Sequence, residues 1–207
     1  DEIAWLNRLE SDHDNFRAAL EWLFGTEQIE LGTQLAFQLD YFWWNKDHAQ
    51  EGRYWLEAGL SHPEKLPRDL LARTLDAASL IVGRTGNYDK GISYAEQSVA
   101  IFRELGKQVE LAGALHTLAV VVSEDGDEKR AKYLYLEALA LNRDFGNKSE
   151  ISTLTIELGW TVIQGGEFDQ GFSMLDEGIR LKQELGNLHE IAYAQFVLGI
   201  CRWIHHE

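Results

Sequence analysis

Leu105-Gly106-Lys107 recurs 40 residues later as Phe145-Gly146-Asn147 and then again as Leu185-Gly186-Asn187. A second glycine series keeps the same step: Gly86-Asn87-Tyr88-Asp89, Gly126-Asp127-Glu128 and Gly166-Glu167-Phe168-Asp169. Two glycine turns per unit leave two segments of about 18 residues, a length that suits a helical hairpin. Repeats of this kind stack so that each unit buries its apolar face against its neighbours. The pattern predicts an all-α fold, a right-handed superhelix of antiparallel helix pairs.

The composition is that of a globular helical protein without disulfides. Of 207 residues, 45% are hydrophobic, and the two prolines, Pro63 and Pro67, lie in one predicted loop. The single Cys201 excludes an internal disulfide and favours a reducing compartment, so we expect a cytoplasmic location. The apolar run Leu118–Val122 is far shorter than the ~20 residues that a membrane span needs. The net charge of −15 opposes direct binding of nucleic acid and favours a neutral or cationic partner.

The N-terminal part of the chain is less regular than the rest. Apolar spacing predicts a helical lead-in at residues 1–26, with a new helix start at Ser11-Asp12-His13-Asp14. A long helix from about Gln28 to Lys46 and another from about His48 to Ser61 then form an irregular unit, 27–61.

From Arg68 onward the repeats are regular, and with the irregular unit they cover residues 27–207. The expected units are 68–106, 107–146 and 147–186, followed by a half repeat at 187–207. The helix pairs predicted within them are 68–85 with 88–105, 108–125 with 128–145, and 148–165 with 168–185. Because His205-His206-Glu207 falls where an inter-helix turn is expected, we interpret the last repeat as truncated.

Small residues recur where the paired helices are expected to cross. They are spaced 12 and then 7 apart: Ser79, Gly91 and Ser98; Ala119, Ala131 and Ala138; Gly159, Gly171 and Gly178. This triplet resembles the small-residue signature of the tetratricopeptide (TPR) repeat in a longer, 40-residue form. An earlier unit fits through Gly52 and Gly59, although Asp40 stands there at a small-residue position.

The lead-in carries a second resemblance. Four segments are similar to segments of bacterial STAND signalling ATPases and transcription regulators. They are Trp5-Leu6-Asn7-Arg8-Leu9-Glu10, the run from His13 to Trp22, Phe42-Trp43-Trp44 and the run from Glu51 to Leu56. In that family the segment follows the nucleotide-binding and winged-helix domains and opens a TPR sensor region. The resemblance implies the inducer-sensing arm of such a regulator. The chain itself contains no Walker motif, so any ATPase activity would belong to other domains.

In a TPR array the first helix of each pair lines the concave face, and spacing identifies the inward positions, which include Phe37, Arg73, Leu80, Ile156 and Ile163. The predicted binding residues on this face are Tyr41, Trp44, His116, Ser123, Trp160, Gln164, Tyr193, Phe196 and Trp203. Such a groove suits an apolar peptide, a protein helix or a flat small-molecule inducer. The alternative is that the aromatic residues pack against helices outside the chain. Arg73 and Arg84 are too few to form the basic ladder that clamps a C-terminal carboxylate.

No catalytic, cofactor or metal site is predicted. Side chains in Asp12-His13-Asp14 diverge on one helical turn, so we interpret this segment as a helix cap. His189-Glu190 lacks the second histidine of a zinc-protease motif, and Cys201 has no partner motif. Two functions stay open, a sensing arm of a signalling protein and a constitutive protein-interaction scaffold.

Overall fold

The computed structural model describes residues 2–186 together with Gln195, Leu198 and Gly199. It divides into two compact units, residues 1–106 and 107–207. Residues 2–186 form eleven α-helices and one 3₁₀ helix and contain no β-strand, so the all-α prediction is confirmed. Among the described residues, no helix combines the length and the apolar character needed to cross a membrane. Tyr193, Phe196 and Trp203 lie outside the described residues.

The helices of the first unit begin with the predicted lead-in. Its elements are α1 (Glu2–Ser11), α2 (His13–Gly25), α3 (Ile29–Gln38), α4 (Asp40–Asn45), α5 (Ala49–Leu60), a 3₁₀ helix (Pro63–Lys65), α6 (Arg68–Arg84) and α7 (Tyr88–Leu105). The second unit contains α8 (Gln108–Glu124), α9 (Glu128–Phe145), α10 (Lys148–Gln164) and α11 (Phe168–Leu185). From α6 to α11 every boundary agrees with the sequence prediction to within one residue.

The predicted long helix from Gln28 to Lys46 is wrong, because it is divided at Leu39 into α3 and α4. Two side chains take the place of regular backbone bonds there. The indole N–H of the buried Trp43 donates to the carbonyl oxygen of Ala36 at 3.0 Å, and the backbone N–H of Tyr41 donates to the carboxylate of Asp40. Side chains that bond to the backbone in this way compete with the helix ladder and interrupt it.

The glycine turns set the repeat length. Gly86, Gly126 and Gly166, inside the pairs, have φ between 88° and 92°, and Gly106, Gly146 and Gly186 end their helices with φ between 68° and 74°. These left-handed conformations favour glycine, which has no Cβ to clash. The irregular unit instead has Asp47, at φ 63°, in the turn between α4 and α5.

Close helix crossings explain the small-residue triplets. A Cβ added at Gly171 would lie 2.4 Å from Cγ1 of Ile163 and 2.7 Å from the carbonyl oxygen of Gly159. At Gly178 it would lie 2.5 Å from Cγ1 of Ile156. Ala131, the corresponding residue in the preceding pair, is fully buried. The predicted crossing positions in the second unit are therefore confirmed.

The lead-in shares a hydrophobic core with the irregular unit. Leu6 of α1 and Leu20 of α2 are buried with Phe42, Trp43 and other residues of α4, α5 and α6. The ring of Phe24 stacks on that of Trp55, with centroids 5.5 Å apart. Each of these large aromatic groups removes a large apolar area from water, so their burial stabilises this end of the chain.

A pair of glycine variants tests the helix crossings. Gly171→Ala should lower the free energy of unfolding by roughly 1–3 kcal/mol, because the new methyl group overlaps Ile163. Gly113→Ala is the matched control, since a Cβ at this helical position meets nothing within 4 Å. The free energy of unfolding of the control should rise by up to about 1 kcal/mol, because alanine has a higher helix propensity than glycine. Chemical denaturation measures both, and equal effects from the two variants would contradict the placement of the crossing.

The turn at Asp47 offers a stabilising variant. Asp47→Gly should raise the free energy of unfolding by about 0.5–1 kcal/mol, because glycine adopts the left-handed conformation without steric cost. Gly86→Asp is the reciprocal change at the matching turn of the next unit, and it should be destabilising. Thermal melts of both proteins would show opposite shifts, and shifts of the same sign would refute the equivalence of the two turns.

Candidate functional site

An apolar pocket on the first unit brings together two predicted groove residues. Tyr41 and Trp44 of α4 line it with Leu80 and Arg84 of α6, and its volume is about 160 Å³. Asp40, Ala77 and Ile81 complete the wall. Tyr41 and Trp44 are 45% and 42% exposed, so both rings are available to a ligand. Tyr41 and Trp44 were both predicted as binding residues from their spacing, and the structure brings them together beside Leu80.

Charged groups lie at the edges of this pocket, which we call the Trp44 pocket. The guanidinium carbon of Arg84 lies 4.6 Å from the centroid of the Trp44 ring, a cation–π contact. Burial raises the pKa of the Asp40 carboxyl, and a hydrogen bond from the Tyr41 amide only partly opposes this effect. The pocket therefore offers aromatic surface, a cation-binding ring face and a carboxyl group within a small area.

The break between α3 and α4 positions these groups. Phe42 and Trp43 of α4 are fully buried in the core, whereas their neighbours Tyr41 and Trp44 face outward. Tyr41 also approaches Trp5 of the lead-in, with ring centroids 6.3 Å apart. Trp5 is 46% exposed, so it extends the aromatic surface beyond the pocket.

A second, more polar depression lies on the same unit. Phe37 of α3 and Arg73 of α6, both predicted on inward positions, line it with Glu30, Gln34 and Asp69. Nε of Arg73 donates to Asp69 at 3.0 Å. Because this guanidinium is already paired with a carboxylate on its own helix, the depression is a poor anion site.

In the second unit the predicted residue His116 pairs with carboxylates of α10. Its Nε2 lies 2.6 Å from Oε2 of Glu157, and its Nδ1 lies 3.8 Å from Oε2 of Glu150. The ring of Tyr135 approaches it, with centroids 6.2 Å apart. His116 is thus engaged by residues of the same unit, and its ring joins α8 to α10.

Trp160 lies beside a buried cluster. It is half-buried and packs on a core formed by Ile156, Ile163, Leu175, Ile179 and Leu198. Ile156 and Ile163, expected on inward rows, are buried in this core, because the glycines of α11 allow that helix to approach them closely. Ser123 is half-buried and Gln164 exposed, each near the end of its helix.

Sequence reasoning missed a depression of about 440 Å³ on the second unit. Lys129, Lys132 and Tyr133 of α9 line it with Thr161 of α10 and Glu167 of the following turn. Nζ of Lys132 lies 2.6 Å from Oε1 of Glu167, so its charge is paired. Most of these residues belong to α9, the second helix of its pair, or to the turn after α10, whereas the predicted groove used only first helices.

Two of the four segments that resemble STAND regulators contact each other through Arg17 and Glu51. Arg17 of α2 donates from Nε to Oε1 of Glu51 and from Nη2 to Oε2, both at 3.0 Å. Nε1 of Trp55 donates to Glu51 at 3.4 Å. The bond from Arg17 lowers the pKa of Glu51 against the opposing effect of burial. The resemblance segments therefore form one structural contact that fixes the lead-in on α5.

A charged network joins α5 to α7 in the first unit. Glu57 accepts from Nε of Arg53 at 3.2 Å, and its Oε1 lies 2.6 Å from Nζ of Lys90. Tyr94 approaches the same oxygen at 3.5 Å. Burial tends to raise the pKa of Glu57, but the bonds from Lys90 and Arg53 outweigh it and hold the pKa below its usual value.

Comparison with known proteins agrees with the repeat pattern. The tetratricopeptide repeat model matches residues 70–144. None of the curated proteins matches the chain in sequence. Among solved structures, BtubC (BKLC) from P. vanneervenii is 16% identical, with a TM-score of 0.73 over 95% of this chain and 82% of that one.

Two further structures have the same fold at low identity. The apo form of RapI is 13% identical, with a TM-score of 0.78 over 93% of this chain and 70% of that one. Aspartyl phosphate phosphatase F from Bacillus subtilis is 9% identical, with a TM-score of 0.71 over 82% of this chain and 45% of that one. At these identities the similarity shows a TPR-like helical fold and nothing about activity.

The Glu57 network predicts a stability that depends on pH. Because the folded pKa is depressed, its contribution is present above the unfolded pKa of about 4.3 and is lost as pH falls through the folded pKa. Glu57→Gln should therefore lower the free energy of unfolding by about 1–2 kcal/mol at pH 7.

The difference between this variant and the wild type should begin to shrink as the pH falls below the unfolded pKa of about 4.3, and it should be lost once the pH is below the lowered pKa of the folded state, where Glu57 is protonated. Urea denaturation across this range measures the effect. Glu177→Gln on the exposed face of α11 is the control and should change little at either pH. A difference for Glu57→Gln that does not depend on pH would show that the ion pairs are not its cause.

Proposed function

We propose that this chain is a non-catalytic TPR module that binds a neutral or basic protein segment at the Trp44 pocket. The observation that carries the proposal is the exposure of Tyr41 and Trp44 beside the apolar side chain of Leu80. Aromatic side chains that remain exposed while their neighbours form the core are typical anchors of protein recognition.

The size and charge of the pocket support a peptide side chain as its occupant. A volume of about 160 Å³ suits one large apolar side chain rather than a whole drug-sized ligand. Because the guanidinium of Arg84 already covers a face of the Trp44 ring, a second cation in the pocket would be repelled, and the basic residues of a partner would lie outside it. The net charge of −15 attracts such a partner over longer distances.

The groove residues of the second unit extend this proposal. Trp160, His116, Ser123 and Gln164 remain the proposed lining there, together with Tyr193, Phe196 and Trp203 beyond the described residues. The half-buried ring of Trp160 would supply apolar contacts and the side chains of Ser123 and Gln164 polar ones, with His116 held in place by its bond to Glu157. In this proposal residues 27–207 are the binding array and residues 1–26 the lead-in that closes its first unit.

The resemblance of the lead-in supports a more specific role as the inducer-sensing arm of a larger cytoplasmic signalling ATPase or transcription regulator. Contacts between the resembling segments, such as the hydrogen bond from Arg17 to Glu51, hold the lead-in on α5 at the start of the array. A ligand on the array would then bias the nucleotide-dependent switch of the parent protein. The second candidate is a constitutive scaffold, which the TPR-like fold supports equally well.

The binding proposal is tested with a matched pair of tryptophan variants. The partner is captured with the full-length protein, identified by mass spectrometry, and its purified segment is titrated calorimetrically. Trp44→Ala should weaken binding by about 2 kcal/mol or more, because it removes the aromatic anchor of the pocket. Trp22→Ala is the control, since Trp22 is 61% exposed on α2 and does not line the pocket.

Unchanged circular dichroism in both variants establishes that the fold is intact. Equal weakening by both substitutions, or none by Trp44→Ala, would exclude the Trp44 pocket as the binding site. A titration of the full-length protein in its ATP- and ADP-bound forms then separates the two roles. A sensing arm predicts different partner affinities in the two forms, and a constitutive scaffold predicts equal ones.

A further inference from the structure

Three potential metal ligands from separate helices meet in the first unit. They are Glu10 near the end of α1, His13 at the start of α2 and His48 immediately before α5. One ligand atom from each of the three lies within 4.8 Å of the others. The sequence favoured a helix cap at this position, but α2 has no side-chain cap bond from Asp12.

The hydrogen bonds around the cluster orient both imidazole rings. Nε2 of His48 lies 3.2 and 3.3 Å from the two carboxylate oxygens of Glu10. Nε2 of His13 lies 3.0 Å from Oε2 of Glu51. Because an ionised carboxylate only accepts hydrogen bonds, a neutral His13 in this contact carries its proton on Nε2 and has its lone pair on Nδ1.

This pairing matches the arrangement that supports histidine ligands in metal sites. A carboxylate that accepts from one ring nitrogen fixes the tautomer and makes the other nitrogen a better ligand. Glu51 is itself held by two bonds from Arg17, so it is a fixed support. Arg17, which lies outside the cluster, therefore holds Glu51, and Glu51 in turn orients the His13 ring.

The surroundings exclude water from one side and admit it from the other. His13 is 8% exposed, and the rings of Phe42 and Trp43 lie edge-on to it with centroids 5.3 and 5.8 Å away. The His48 ring lies 4.1 Å from the His13 ring. Glu10 has 43% of its side chain exposed, so an ion and its water ligands have access from this side.

We propose that Glu10, His13 and His48 bind a divalent transition-metal ion, with Zn²⁺ the best match. Two imidazole nitrogens and one carboxylate oxygen are a common three-residue zinc set, with a water molecule at the fourth position. Hard cations such as Mg²⁺ and Ca²⁺ prefer sets made entirely of oxygen. The bound ion would join α1 and α2 to the start of α5 and thereby stabilise the lead-in on the irregular unit.

The proposal is tested by titrating the metal-free full chain with Zn²⁺ and with Co²⁺. All proteins carry Cys201→Ser, His205→Ala and His206→Ala, because these groups bind such metals by themselves. The parent protein should bind one equivalent in calorimetry, show intense visible absorption with Co²⁺, and melt at a higher temperature when Zn²⁺ is present.

Two ligand variants and one control locate the ion. His48→Gln and Glu10→Gln, both on the accessible side, should each weaken Zn²⁺ binding at least about tenfold and reduce the thermal shift correspondingly. His62→Ala should keep the affinity of the parent, since His62 pairs with Glu64 outside the cluster. Glu51 is not a ligand of the proposed ion, but Glu51→Gln should still weaken Zn²⁺ binding by about tenfold. The reason is that the variant removes the carboxylate that orients the His13 ring.

Absence of binding by the parent protein, or equal binding by the parent and both ligand variants, would overturn the site. The contacts from His48 to Glu10 and from His13 to Glu51 would then serve only to join the helices. Full affinity in Glu51→Gln together with a loss in His48→Gln would overturn the supporting role of Glu51.

Discussion

Close crossing of paired helices is the constraint on which the regular part of this structure depends. At Gly171 the distance to Ile163 leaves no room for even one methyl group, and Gly178 meets Ile156 in the same way. This closeness lets Ile156 and Ile163 of α10 bury themselves against α11 in a core with Leu175 and Ile179. Dispersion contacts fall steeply with separation, so the small residues determine how well each pair packs.

In the irregular unit, aromatic residues rather than small ones fill the space between the helices. This packing also forms the Trp44 pocket. Asp40 replaces a small residue, the helix breaks at Leu39, and Trp43 turns its indole N–H back to Ala36. Gly52 then allows α5 to approach Trp43, where an added Cβ would lie 2.5 Å from the ring. With Phe42 and Trp43 committed to the core, Tyr41 and Trp44 are directed outward beside Leu80 and Arg84.

Local sequence patterns predicted the helices well, but they predicted contacts between residues far apart in the sequence less well. Glycine spacing located α6 to α11 to within one residue, because each turn needs its own left-handed glycine. The break at Leu39 depends on a bond from Trp43, which no periodicity encodes. The inward positions included Tyr41 and Leu80, which the structure brings together, but they did not predict the burial of Ile156. The pairs of Glu10 with His48 and His13 with Glu51 were missed, although both have a separation of 38 residues, close to the repeat length.

We propose that the break in the irregular unit produces a partner-binding surface at the Trp44 pocket. Hydrogen–deuterium exchange of the full-length protein, with and without its purified partner, tests this claim most directly, because it locates the contact without any substitution. The account predicts slower exchange in α4 (Asp40–Asn45) and in the second half of α6 (Arg68–Arg84) when the partner is bound. Slower exchange confined to α9 and the turn after α10, with α4 and α6 unchanged, would contradict it.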